Sequence, residues 1–403
     1  MEGLYRLRNP VRRYAWGSYT AIASLQGRAT PTREPEAELW LGAHPSAPSE
    51  VLFLGRWRSL LEVIEIHPAE LLGTSTVRRF GTRLPFLLKV LAAERPLSIQ
   101  AHPDATQARR GFESENAAGI PLDAPHRNYR DANHKPELLC ALTDFEALVG
   151  FRHADAIVDL IERLPLRSLT AELAALREDA TPNGVRRFFS DLLSLPLVRR
   201  QIVTSELVEA AAGTRERAEY AWIARLAQEH PGDIGLLAPI LLNLVRLRPG
   251  QAVFLAAGQL HAYLGGVGIE IMANSDNVLR GGLTSKHVDP KELLHALTSV
   301  PGAPSLRAGI PVDPIESTYD APAVEFELSV LNLHSNNSIE RATNGGPEVL
   351  IAISGEAVLE PPTASEAIRL RRGESAFVAG SIEGYRIAGH GTVYRGRVGR
   401  GRT

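Results

Sequence analysis

Between Ala154 and Arg248 the chain changes period, and that change constrains the fold more than any other feature. IVDLIERL, LTAELAALRED, GVRRFFSDLLSL, SELVEAAAGT, AEYAWIARLAQEH and IGLLAPILLNLVRL repeat apolar residues at the spacing of one helix face, with Pro and Gly between them. On either side the pattern is different. NPVRRYAWGSYTAIASLQG and AELWLGAHPSAPSEVLFL, then VEFELSVLNL, PEVLIAISGEAVLE, EAIRLRRGESAFVAG and GYRIAGHGTVYRG, read as short strands broken by turn residues. The expected architecture is mainly β with an α insertion: a β-rich domain over 1–153, a helical domain over 154–248 and a β-rich region over 249–403. Strands in that style build a sandwich or a barrel, and the two β-rich regions are candidates for distant duplicates.

Smaller elements follow from the same reading. SLLEVIEIHPAELLG is a short helical stretch ending at Gly73, and ATQARRGFESEN is a second helix. LPFLLKVLAAERPLSIQAHPD gives two buried strands around Glu94-Arg95-Pro96. Alternation in the second places Gln100 and His102 on one face. GIPLDAPHRNYRDANHKPELLCAL is a loop stiffened by Pro121, Pro125 and Pro136, delivering His134, Lys135 and Glu137 to an apolar strand, LLCALTDFEALVGF.

Chemistry concentrates between Gly258 and Asp289. This segment holds His261, Glu270, Asp276, Arg280, Lys286, His287 and Asp289 among Gly and Asn residues. With so few bulky apolar groups it reads as poor core material, rich in turns and close backbone approaches. A solvated connection between domains is the bland alternative. Within it, GIEIMA points Glu270 away from Ile269 and Ile271, as a strand does.

Composition excludes some functions. A net charge of -2 gives no basis for a nucleic-acid or anionic-membrane partner. No apolar run approaches the roughly 20 residues of a membrane helix, and no secretory leader pattern opens the sequence. One cysteine, Cys140, excludes an internal disulfide and suits a reducing cytoplasm; followed by apolar residues, it reads as packing. Lysine occurs only at 89, 135, 286 and 291 although Lys+Arg totals 44. A compact ammonium with a tunable pKa is a reason to keep lysine where arginine is otherwise used.

Gln100, His102, Glu137 and His261 offer two imidazoles, a carboxylate and an amide oxygen without thiolate, a donor set suited to zinc and, less selectively, to other borderline metals.

QAHPD, RNYRDANHKPEL and GQLHAYLGGVGIEIMANSDNVLRGGLTSKHVD resemble, in order, the three signature stretches of type I mannose-6-phosphate isomerases. YAWGS and AELWLGAHPSAPS resemble the family's N-terminal segments, and LRRGESAFVAG its C-terminal cupin-like strands, so the likeness spans nearly the whole chain. The resemblance implies two cupin-like jelly-roll β-domains with a helical domain between them, a monomer, and one zinc ion on Gln100, His102, Glu137 and His261. It implies catalytic Arg280, and a sugar-phosphate pocket including Lys89, His134, Lys135, Tyr263, Glu270, Asp276 and Lys286. Three of the four lysines thus fall in the implied pocket.

Interconverting mannose 6-phosphate and fructose 6-phosphate through an enediol requires an oxyanion stabiliser, a base for a carbon-bound proton and a phosphate anchor. Arg280, always charged, suits the anion or the phosphate. Glu270, Asp276, His134 and Lys135 are candidates for the base; Glu270 is equally a carboxylate that orients a ligand histidine. Lys135 and Lys286, and more weakly Lys89, are phosphate or hydroxyl contacts, while His287 and Asp289 brace the loop. The family's histidine motif commonly continues HPDK, whereas Ala105 follows Asp104 here, leaving Arg109 or Arg110 to compensate. Two other classes differ in testable ways. A non-catalytic cupin module would bind a sugar phosphate without turnover, and an iron-dependent oxygenase would want more imidazole than Gln100 allows.

Overall fold

The computed structural model describes residues 3–214, 217–298, 300–334, 338–362 and 366–400. Its organising strand is His261–Ala273. The second half of that strand pairs antiparallel with Phe86–Ala93 on one edge and with Glu137–Ala141 on the other. Its first half leaves both partners and pairs with Phe145–Phe151, while His261 also meets Gln100. The exchange happens at Gly265-Gly266, directly after a register slip between Tyr263 and Gly265. Gly266 has φ +127°, and a Cβ there would lie 2.6 Å from the Phe145 ring, so the corner needs glycine.

This corrects the view of the segment as poor core. Residues 268–273 are buried throughout, and the glycines serve a bend in a central strand. Turn-like or irregular backbone is left to residues 258–260, 274–278 and 283–289. Two further readings change. LLCALTDFEALVGF is two strands, Glu137–Ala141 and Phe145–Phe151, with Thr143 and Asp144 at the turn between them. IGLLAPILLNLVRL is helical only to Leu241, after which Leu242–Leu247 is a strand beside Phe145–Phe151. An apolar run leads into this stretch, and Asn243 and Arg246, three apart, fit one helix face, so the pattern favours helix until an available strand edge decides it.

Among the described residues the strands form two antiparallel systems of eleven. The first is built on His261–Ala273; the second is built on Glu348–Glu360 running along Gly384–Arg397. Membership crosses the linear sequence, since Leu4–Arg8 joins the second through Ser375–Val378. Phe86, Leu88, Val90, Ile269 and Ile271 of the first meet Leu328, Val349, Ile351 and Phe377 of the second in one core. Alternation turns Lys89 and Glu270 to the other face. Cys140 is buried in the same core, its Sγ 3.5 Å from the Tyr394 hydroxyl, and burial pushes the thiol pKa up.

The insertion supplies five longer helices, Ala154–Glu162, Thr170–Glu178, Pro182–Leu193, Leu197–Gly213 and Ala218–Glu229. Pro182 occupies the first turn of its helix and Thr181 caps it by accepting from the Gly184 N–H. Their apolar faces share a core with Ile99, Ala101, Leu260 and Leu279, which belong to the strands carrying Gln100, His261 and Arg280. The helices therefore back the site-bearing strands. A mainly β fold with a helical insertion is what the sequence led us to expect.

Candidate active site

Three strands lying side by side set the first geometry. Gln100 is paired with His261 on one side and with Arg280 on the other, and directly paired residues share a face of the sheet. His102 follows the strand Ile99–Ala101. Its position is fixed by the Gly258 N–H, which donates to the His102 carbonyl at 2.7 Å. Gly258 has φ +72°, and a Cβ there would stand 2.5 Å from the Ala296 carbonyl, so this close approach requires glycine.

His102, Glu137 and His261 bring one donor atom each to within 4.8 Å of the others, and all three are buried. Both rings have their orientation imposed from behind. His102 Nδ1–H donates to the Asn277 carbonyl at 2.8 Å and His261 Nδ1–H to the Gln259 carbonyl at 2.9 Å. A carbonyl only accepts, so both Nε2 atoms carry lone pairs turned toward Glu137. They stand 3.5 and 3.7 Å from its two oxygens. His102 Nε2 is buried and has no hydrogen-bond partner. Tetrahedral donors on bonds of about 2.0–2.2 Å lie roughly 3.3–3.6 Å apart, so separations of 3.5 and 3.7 Å are close to the spacing around a zinc ion.

Electrostatics keep these groups in their ligating forms. Burial, then the neighbouring His102, lowers His261 to about 4. Burial likewise lowers His102, against the pull of Glu137. Burial alone would raise Glu137, but Lys135 and the two histidines hold its carboxyl well below the usual range. Lys135 Nζ is 3.3 Å from Glu137 Oε1.

A second buried set lies next to this one in the sheet. Lys89 Nζ donates to Glu270 Oε2 at 3.0 Å and to Glu38 Oε1 at 3.3 Å. The remaining oxygens accept from the Tyr263 hydroxyl and the Trp40 indole N–H, both at 2.9 Å. Burial would lower Lys89, yet Glu270 and Glu38 outweigh it and raise the ammonium's pKa. Burial raises Glu270 against the pull of Lys89, and raises Tyr263 with Glu270 adding to it. Both oxygens of Glu270 are thus committed to partners.

The other expected residues are distributed unevenly. His134 is drawn away from the donor cluster, its Nε2 2.8 Å from Glu325 Oε1. Asp276 has a half-exposed side chain whose Oδ1 is 3.6 Å from His44 Nε2. Arg280 and Lys286 form a cationic patch with Arg130. Burial lowers Arg280, with Arg130 adding to it; burial lowers Lys286, with Arg280 and Arg130 adding to it. Among the described residues, the charges that shift these two are positive. Asp289 caps the helix Pro290–Ala296 and accepts from Asn128 at 3.1 Å, which anchors the loop.

Sequence reasoning missed Glu38, Trp40, His44, Arg130 and Asn277. For Glu38 a signal existed, because a carboxylate within ELWL on a strand buried throughout needs a cationic partner. For Arg130 and Asn277 none existed, since they reach the site only through the folding of their loops.

Comparison with known proteins places these features. Residues 4–154 match the model of the phosphomannose isomerase type I catalytic domain. Mannose-6-phosphate isomerase of Escherichia coli K12 is 38% identical over 394 residues, covering 97% of this chain and 99% of that protein. A crystal structure of mannose 6-phosphate isomerase with zinc bound superposes with TM-score 0.91 at 38% identity, covering 98% of this chain and all of that one. A mutant of phosphomannose isomerase from Salmonella typhimurium superposes with TM-score 0.92 at 38% identity, over 98% of this chain and all of that one.

Proposed function

Because the chain belongs to the type I mannose-6-phosphate isomerase family, we propose that it interconverts D-mannose 6-phosphate and D-fructose 6-phosphate through an enediol, holding one zinc ion on Gln100, His102, Glu137 and His261. The observation that carries the metal assignment is the buried, unpartnered Nε2 of His102, aimed with that of His261 at one carboxylate. Bound zinc supplies Lewis-acid polarisation of substrate oxygens, typically worth several kcal/mol.

The chain's own residues divide the remaining work. Arg130, Arg280 and Lys286 anchor the phosphate and the developing oxyanion, their mutual repulsion relieved when an anion arrives. The base must take the proton from C2 and return it at C1. Glu270 has both oxygens committed and His134 is engaged by Glu325, while the Lys135 ammonium lies against Glu137. Asp276 offers an accessible carboxylate, next in sequence to the Asn277 that fixes His102. We assign the base to Asp276. Lys135 donates to a substrate oxygen as the hydroxyl proton moves from O2 to O1. Glu270, Lys89 and Tyr263 form the rigid wall against which the sugar is oriented.

No described helix is long and apolar enough to cross a membrane. The reading takes the protein as a cytoplasmic monomer, with its one thiol reduced and buried. Conversion of mannose 6-phosphate by purified protein, measured before chelation, after it and after adding zinc back, tests the reaction. Activity lost on chelation and restored by zinc is the expected result. Absence of turnover with zinc bound would sink it.

A further inference from the structure

His44 lies outside the metal cluster and has no part in the reaction described above, yet its surroundings are specific. It follows the strand Glu38–Leu41, is 4% exposed, and has the Trp40 ring edge-on at 4.9 Å. The Ser46 backbone N–H lies 3.3 Å from His44 Nδ1, with the Ser46 hydroxyl at 2.8 Å. A backbone N–H only donates, so Nδ1 is the accepting nitrogen and the ring proton is on Nε2. That Nε2–H faces Asp276 Oδ1 at 3.6 Å. The separation is longer than a formed hydrogen bond, as catalytic pairs often are before substrate tightens them. Asp276 is held through its backbone, whose N–H donates to Asp131 Oδ2 at 2.7 Å. His44 is the neighbouring donor to its carboxylate.

We propose that His44 is a positioning residue for the isomerase reaction: fixed as the Nε2–H tautomer by Ser46, it orients the Asp276 carboxylate toward the substrate carbons between which the proton moves. The inference rests on the assignment of Asp276 as base. A neutral donor suits this role better than a cation, because it directs the lone pairs of the carboxylate without abolishing their basicity. The ring is kept neutral by its surroundings. Burial lowers its pKa to about 4, Asp276 opposes that shift, and Lys89, Lys135 and Arg12 reinforce it.

Two isosteres separate the nitrogens. The amide N–H of His44→Gln reaches the place of Nε2, whereas that of His44→Asn reaches only the place of Nδ1. With zinc-loaded enzyme and mannose 6-phosphate, H44N is expected to lower kcat by about 10–100-fold, with KM changed less than about 2-fold. H44Q is expected to recover most of that loss. In an Asp276→Asn background, H44N should cost nothing further, since the residue it positions is already disabled. Wild-type-like H44N, equal losses in H44N and H44Q, or losses that multiply with D276N would each overturn the proposal. Thermal midpoint and zinc content of every variant identify an equal loss as misfolding, which also counts against it. D276N that keeps wild-type kcat would instead remove the base assignment, and this inference with it, while turnover by the wild type leaves the isomerase reading standing.

Discussion

Both sheet systems bury charge, and around the donor cluster the first does so in the opposite way to the second. In the second, Arg395 is 1% exposed and pairs with Glu316 and with Glu348, the latter at 3.4 Å. The Tyr385 hydroxyl donates to Glu348 at 2.7 Å, and Arg341 reaches Glu316 at 2.9 Å and Asp313 at 2.8 Å. Every charge there has an opposite charge beside it, so the network is closed in charge, although Arg341 Nε and Nη2 form no hydrogen bond. In the first, His102 and His261 turn lone pairs toward a carboxylate that cannot donate to them, and half-buried Arg280 and exposed Lys286 stand near one another and near Arg130. Those groups are organised for something outside the protein. The contrast distinguishes a structural ionic core, where each charge faces its opposite, from a site, where buried lone pairs converge on one carboxylate and cations gather together.

Deleting a donor from the open set should have the largest effect. His102→Ala is expected to lose zinc and to lower kcat/KM by about 10³-fold or more, in line with several kcal/mol of Lewis-acid stabilisation. Its thermal midpoint without metal should fall as well, since the ring is buried and its Nδ1–H donates to the Asn277 carbonyl. Metal content by atomic absorption and steady-state kinetics check both halves. A variant that kept stoichiometric zinc and full activity would break the contrast.

Arg395→Ala tests the closed set from the other side. It leaves Glu316 and Glu348 buried with less compensation, so unfolding should be easier by about 3–5 kcal/mol, read by urea denaturation. In the fraction that remains folded, kcat should match the wild type. A selective loss of kcat would mean that the second sheet system also takes part in the chemistry.

Acid should act on the open set as well, more gently. The folded value for His261 is about 4, against 6.5 ordinarily. Between those values the unfolded chain binds more protons, so stability rises with pH across that window and is lost as pH falls from 6.5 toward 4. The thermal midpoint of metal-free protein should decline over that range. His261→Gln should flatten the decline, and an unchanged slope would deny that burial keeps this ring neutral.

How much of this was legible beforehand depended on whether neighbours in sequence were neighbours in space. The helical insertion could be read because each helix shows its period locally, and the donors could be read because Gln100 and His102 lie two residues apart on a strand edge. Resemblance to a family supplied the pairing of that pair with Glu137 and His261, which no spacing reveals. The glycines of LGGVGIE misled because a bend in a central strand and a loop use the same residue. Leu242–Leu247 misled because it continues an apolar helical run and its Asn243 and Arg246, three apart, fit one helix face. His44 and Arg130 reach the site from segments where no single residue stood out, whereas Glu38 was legible as a carboxylate within an apolar strand.

The smallest expected effect concerns Ala105, where the family commonly has lysine. Ala105 opens the helix Ala105–Ala117 behind the Asp104–Gln107 capping box and is exposed, as are Arg109 and Arg110 on the same helix. Exposed charges there are screened, and a cation in a first turn opposes the helix dipole by about 0.3–1 kcal/mol. Arg130, by contrast, acts on both Arg280 and Lys286. If the phosphate sits among those three, Ala105→Lys should lower KM by less than about 3-fold through steering alone, an effect erased by salt. Arg130→Ala should raise KM by about 10-fold, the loss of one charge-assisted hydrogen bond. The reverse ranking, with Ala105→Lys improving KM strongly and Arg130→Ala silent, would move the anion from the cationic patch to the end of the helix. The open set would then be the metal cluster alone, and the unpaired cations would need another explanation.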